Sequence, residues 1–145
     1  MDATKKKLIE FSVKALIIHD NKFLALHRRT SKHHMFFELP GGRMEFGETA
    51  EETVTREVME ETELTITPIS LVDTWNWMGD ESWQVTGVIY LCALSRDDKI
   101  ILSDEHDEYE WLPITAESFE KMSRLYAPQM RKWDWEILFG KVQAC

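Results

Sequence analysis

"GRMEFGETAEETVTREVMEETEL", residues 42 to 64, decides how the rest of the chain is read. Its second half has helical spacing and a clear start: Thr49-x-x-Glu52 has the form of a capping box, in which hydroxyl and carboxylate satisfy backbone N–H groups that lack partners inside the helix. At about 100° per residue, Ala50, Val54 and Val58 make one apolar stripe, the natural core face. Glu57 and Glu61 fall within about 20° of Ala50, and Glu60 lies at the edge of the stripe. A solvated acidic face would point the other way. Carboxylates about 4 Å apart repel by about 4 kcal/mol per pair at an effective dielectric of about 20, so a half-buried trio needs cations to stay ionised. Oxygen-only donors suit hard divalent ions, Mg²⁺ above all, and such an ion keeps open positions that phosphate oxygens commonly fill. The bland alternative is a helix whose acidic end is merely solvated.

Composition limits what can surround this helix. With 145 residues, 43% hydrophobic and 30% charged, the chain is expected to form one domain over residues 1–145 with a real core. No Pro/Gly/Ser-rich linker, repeat or signal-peptide-like apolar run is visible, and the two cysteines, Cys92 and Cys145, make no disulfide framework, so a cytoplasmic protein without a membrane segment is expected. A net charge of −9 argues against binding a nucleic-acid polymer, which needs clustered cations. An acidic protein that binds an anionic substrate must borrow positive charge, and a metal ion supplies it.

Strands and helices alternate along the chain. Phe11 to His19 and Lys22 to Arg28 read as a hairpin turning at Asp20-Asn21. Arg29 to Phe36 is a basic, His-rich loop, and Phe37 to Leu39 a brief strand that Pro40-Gly41-Gly42 ends by forbidding regular structure. The helix from Thr49 to about Thr62 follows, then strands at Thr65 to Trp77 and Trp83 to Leu94 separated by Gly79-Asp80, and a short strand at Tyr109 to Leu112. Helices are expected at Ala116 to Arg124 and Gln129 to Val142. The order lacks regular βαβ spacing, so the expected class is α/β of the mixed α+β kind, a mixed β-sheet sandwiched between helices.

From Gly42 to Leu64 the chain resembles the Nudix box, G-x5-E-x7-R-E-U-x-E-E-x-G-U with U aliphatic: Gly42, Glu48, Arg56, Glu57, Val58, Glu60, Glu61 and Leu64 all match. One position departs, since the final glycine is Glu63 here. A glycine there usually ends the helix in the left-handed conformation, where glutamate costs about 1 kcal/mol. The resemblance implies the fold and activity of a MutT-like Nudix hydrolase, a pyrophosphohydrolase cleaving a diphosphate bond in a nucleoside triphosphate or another nucleoside diphosphate derivative. It implies divalent metal, Mg²⁺ or Mn²⁺, held by Glu57, Glu60, Glu61 and the carbonyl of Gly42, and a Glu48–Arg56 salt bridge tying loop to helix. "EHDEYEW", residues 105 to 111, resembles the late segment that gives a further carboxylate, Glu105 first and Glu108 second. Glu57 is the expected general base, with Glu105 as second choice. Nudix proteins are frequently homodimers. The reading of another class is a sensing module that binds a nucleotide or metabolite without turnover, but such modules often lose box glutamates and all are present here.

"HRRTSKHHMFFELPGGRMEFGE", residues 27 to 48, resembles MutT-type nucleoside triphosphate pyrophosphatases, which gives Arg29 a nucleotide contact and Glu38 a base or ribose contact. The proline typical of many ADP-ribose pyrophosphatases is missing, since Gly79 stands there. Trp75, Trp77 and Trp83 serve either as a base-stacking platform or as packing, while Trp133 and Trp135 are expected to pack. The histidines show no zinc-site spacing.

Overall fold

The computed structural model of the protein describes residues 6–29, 36–97 and 99–145. Lys5 and the stretch of the expected His-rich loop carrying His33 and His34 lie outside the described residues.

The chain opens with a hairpin of β1 (Leu8–His19) and β2 (Lys22–Arg28), paired through Ile18↔Phe23 and His19↔Lys22. Asp20 and Asn21 take φ of 52° and 59°, the two-residue turn whose twist suits a hairpin and which short polar side chains tolerate. Beyond those two pairs the strands part. β2 continues with β3 (Phe37–Glu38) and β7 (His106–Pro113), whereas the front half of β1 takes β4 (Gly41–Arg43). On its other side β1 runs parallel to β6 (Trp83–Leu94), and β6 is antiparallel to β5 (Ile66–Asp80). Together they make a seven-stranded mixed sheet, β3-β2-β1-β6-β5, with β4 beside β1 and β7 beside β2.

Alternation along β1 serves both faces of that sheet. Val13, Ala15 and Ile17 pack with Val54 and Val58 of α1 (Ala50–Thr62). Leu16 and Ile18 point the other way, into the cluster with Phe119 of α2 (Ala116–Lys121), Met130 of α3 (Ala127–Met130) and Leu138 of α4 (Trp135–Gln143). Ser12 and Lys14 share the parity of Leu16 and Ile18, and both are buried. Among the described residues no helix is long and apolar enough to cross a membrane. Cys92 is buried and Cys145 exposed, both as free thiols.

The structure corrects the sequence reading in four places. Gly41 and Gly42 do not break the sheet; with Arg43 they form β4, where the missing Cβ lets Gly41 approach the β1 backbone. A Cβ at Gly41 would collide with the Val13 carbonyl and one at Gly42 with the Glu57 carboxylate. β5 runs through Gly79 to Asp80, and the turn falls at Glu81-Ser82, closed by Asp80 Oδ1 accepting from the Ser82 N–H at 2.7 Å. Gly79 clears room for the edge-to-face pair of Trp77 and Trp83, whose centroids are 4.8 Å apart. The last helix is two, α3 and α4: Asp134 caps α4 by accepting from the Ile137 N–H, while the Trp135 indole N–H donates to the Met130 carbonyl at 2.9 Å. The helix expected to reach Arg124 stops at Lys121, where Met122 turns extended and the Ser123 N–H donates to the Phe37 carbonyl at 2.8 Å.

Candidate active site

Where β2 parts from β1, the sheet leaves a cleft of about 490 Å³. Ser12 and Lys14 reach it from β1, Arg28 from the end of β2 and Glu38 from β3. Gly41, Gly42, Glu57 and Glu105 give it an acidic side, and Trp75, Trp77, Trp83 and Tyr126 an aromatic one.

The acidic side follows from how α1 docks. Thr49 caps the helix with both halves of the capping box in place, and Val54 and Val58 are fully buried against the sheet. That orientation buries Glu61 to 3% exposure and leaves Glu57 half-buried, while the Glu60 side chain stays 58% exposed. Glu61 Oε1 accepts from the Gly41 N–H at 2.7 Å. Burial pushes the Glu61 carboxyl up to about 8, against the pull of Lys14 and of the Gly41 N–H. Glu57 is also raised, by burial first, with Glu60 and Glu105 adding to it and Arg56 opposing.

Arg56 is the cation of this cluster. Its Nε and Nη2 meet Glu48 Oε2 and Oε1 at 2.7 and 2.9 Å, a bidentate pair that ties the β4–α1 loop to the helix. Its Nη1 donates to Glu57 Oε1 at 2.9 Å and to Glu60 Oε2 at 3.3 Å. The Arg56 hydrogen bonds hold the Glu48 carboxyl down at about 2. Helix α1 ends at Glu63 in the left-handed conformation, φ 60° and ψ 18°, with its N–H donating to the Met59 carbonyl at 2.9 Å. The glutamate thus adopts the geometry that the family pattern assigns to glycine.

The floor of the cleft is a network of alternating charges. Arg28 Nη2 donates to Glu38 Oε1 at 3.0 Å, and the fully buried His106 meets the same oxygen through Nε2 at 2.8 Å. His106 Nδ1 faces Glu61 Oε2 at 3.7 Å, too long for a hydrogen bond, and among the described residues this buried nitrogen has no partner. Burial would raise Glu38, but Lys14, His106 and Arg28 outweigh it and hold its carboxyl at about 2. Glu38, Glu61 and His106 each bring a donor atom within 4.8 Å of the others, a spacing that could hold a metal ion.

Several expected residues sit differently from their sequence assignment. Arg29 is exposed and turns away, its Nε donating to the Asp104 carbonyl at 3.1 Å; Arg28 lines the cleft instead. A register shift between His27 and Arg28 in the β2–β7 ladder re-aims the arginines. Glu105 lines the cleft, and Glu108 lies exposed on β7 away from it. Gly41 and Gly42 pair with Lys14 and Val13 in the β1–β4 ladder, and the Gly41 N–H donates to Glu61. Lys14, Arg28, His106 and Tyr126 were not singled out from sequence. The one local signal was a lysine inside the apolar run of β1.

The donor set fits a divalent ion. Carboxylate oxygens dominate it, Glu57 is raised by burial with Glu60 and Glu105 and Glu61 by burial with Glu38 and Glu57, and the absent Cβ at Gly42 keeps space beside the Glu57 carboxylate.

Known proteins place this architecture. The chain is similar to a MutT protein from Methanosarcina mazei Go1, with 28% identity and a TM-score of 0.76 over 92% of this chain and 99% of that one. The E. coli ORF135 protein shares the fold at a TM-score of 0.70 and 17% identity, over 90% of this chain and 91% of that one. An ADP-ribose pyrophosphatase from Methanocaldococcus jannaschii is 47% identical over 53 residues, 37% of this chain and 31% of that protein. An 8-oxo-dGTP diphosphatase from Proteus vulgaris is 43% identical over 58 residues, 39% of this chain and 50% of that protein. The matches thus span half or less of the length of these curated relatives. Residues 10–134 match the NUDIX domain, and the chain belongs to that family.

Proposed function

We propose that the protein is a Mg²⁺-dependent Nudix pyrophosphohydrolase, with Mn²⁺ as the alternate metal, that cleaves a diphosphate bond in a nucleoside triphosphate or another nucleoside diphosphate derivative. The observation that carries this reading is the convergence of Glu57 and Glu105 with three tryptophans on one cleft, with Glu61 hydrogen-bonded to the Gly41 of its wall. Glu57, Glu60, Glu61 and Glu105 would hold the ion, with the Gly42 carbonyl as the backbone ligand, while the Gly41 N–H holds Glu61. A bound divalent ion supplies polarisation of the phosphoryl oxygens and a lowered pKa for the attacking water. Gly41 fixes Glu61, and Arg56 fixes Glu57 and Glu60 while also gripping the loop through Glu48. Glu57, beside that cluster and lining the cleft, is the proposed general base, with Glu105 as the alternative. The aromatic side would take the base, and Arg28 with Glu38 would orient the nucleotide, in place of the Arg29 contact expected from sequence.

The names of the two curated relatives, an ADP-ribose pyrophosphatase and an 8-oxo-dGTP diphosphatase, support this reaction class. The sensing-module reading gains nothing, because every box carboxylate is present and Glu57 and Glu61 are held by specific hydrogen bonds. The test is phosphate and pyrophosphate release over a panel of nucleotides with and without Mg²⁺, using Glu61→Gln as control. Turnover that needs both Mg²⁺ and Glu61 is the expected result. Binding of a nucleotide by the wild-type protein without turnover of any panel member would overturn it.

A further inference from the structure

Among the described residues, Arg28 on the cleft floor pairs with a carboxylate and Lys14 does not. Arg28 and His106 both pair with Glu38, and Glu61 is held by Gly41. Lys14 is 5% exposed and lines the cleft, yet among the described residues no carboxylate forms an ion pair with it. Its neighbours are the face of Trp75, 5.4 Å from Nζ to ring centroid, and the buried Tyr126. Glycine at residue 41 leaves room for its stem: a Cβ there would stand 3.1 Å from Lys14 Cδ. Burial works against its charge, but Tyr126, Glu38 and Glu61 outweigh it and raise its pKa, so the side chain is an ammonium at neutral pH. A buried ammonium offers three donors and no acceptor; Tyr126 takes one by a side-chain hydrogen bond, and leaving the others unmade is costly.

We infer that Lys14 is a specificity-determining residue that donates to a carbonyl oxygen of the substrate's nucleobase, so that the cleft prefers guanine, uracil or thymine over adenine and cytosine. The shared chemistry is an oxygen acceptor, which a phosphate could also supply. The base is favoured because Lys14 lies against Trp75, on the aromatic side of the cleft, while phosphates belong with the carboxylates that would hold the ion. Guanine and the keto pyrimidines present an oxygen where adenine and cytosine present an amino group. An amino group meeting Lys14 sets donor against donor and strands a buried charge. This inference rests on the reading of the cleft as a nucleotide site.

The test measures binding of GMP, UMP, AMP and CMP by calorimetry without metal, together with hydrolysis of the four triphosphates with Mg²⁺, for the wild type and Lys14→Met. The wild type should favour the keto bases by at least about tenfold, and Lys14→Met should erase that ratio, since one hydrogen bond to a charged group is worth about that much. Lys14→Gln, which can both donate and accept, should flatten the preference too and guards against a Met variant that fails to fold. A flat wild-type profile, or a ratio that survives both substitutions, overturns the inference while leaving hydrolysis intact. An equal loss across all bases, matched by weaker binding of inorganic triphosphate, assigns Lys14 to phosphate and also overturns it. A keto preference in binding with no hydrolysis anywhere upholds the inference and sinks the proposed activity instead.

Discussion

Arg56 grips Glu48 through two parallel hydrogen bonds of 2.7 and 2.9 Å, and its remaining Nη1 reaches Glu57 at 2.9 Å. One guanidinium thus anchors a loop and aims a cleft carboxylate. Arginine does this where lysine could not, because its planar fork presents donors in fixed directions.

Glu48→Gln should therefore lower the melting temperature at neutral pH and cut turnover, through Glu57 losing its anchor. Because the folded-state pKa of Glu48 is depressed to about 2, its stabilisation is fully present above the unfolded value of about 4.3 and is lost as pH falls toward 2. Thermal melts of wild type and variant at pH 7, 4.5 and 3 should show the gap closing with acid. A gap that stays constant would deny the pair its role.

Glu61→Gln keeps an oxygen to accept from the Gly41 N–H, so the fold should survive while the charge disappears. Turnover should fall by at least about 100-fold, as the loss of several kcal/mol of metal-dependent stabilisation requires. Glu57→Gln should cost about 10² to 10⁴ if that residue is the general base, with a flattened pH–rate profile as its signature.

Gly42→Ala and Gly47→Ala should separate two reasons for glycine. A Cβ at residue 42 strikes the Glu57 carboxylate, so activity should drop with little change in melting temperature. A Cβ at residue 47 meets nothing within 4 Å, but φ there is 94°, so stability should fall by about 1 kcal/mol with the chemistry largely spared.

Glu63→Gly should stabilise the protein by about 0.5 to 1 kcal/mol, since the left-handed geometry at φ 60° is already adopted and the Cβ penalty would vanish. Denaturant midpoints measure it directly, and an unchanged or lower midpoint would mean that the glutamate side chain compensates.

Local features of the fold were readable in the residues. Thr49 and Glu52 announce a helix start, Asp20-Asn21 a tight turn, and the wheel places Glu61 with the buried valines. Features decided by partners distant in sequence were not. His106 lies 68 residues from Glu38, which it bonds, and nothing around it in sequence says so. The choice between Arg28 and Arg29 hangs on a register shift in β2, and alternation cannot be counted through such a shift. Lys14 stands in sequence as a lone lysine in an apolar run, because its neighbours on the cleft floor arrive from other strands and from the segment before α3.

All three box carboxylates ride on one rigid rod, α1, whereas the aromatic side is assembled from residues of β5, β6 and the segment before α3. That separation gives the protein a modular evolutionary path. On the proposed reading, changes at the partly buried Trp77 or Trp83 would alter which base the cleft takes while leaving α1 and its carboxylates in place, so selectivity and hydrolysis would rest on separate parts of the fold.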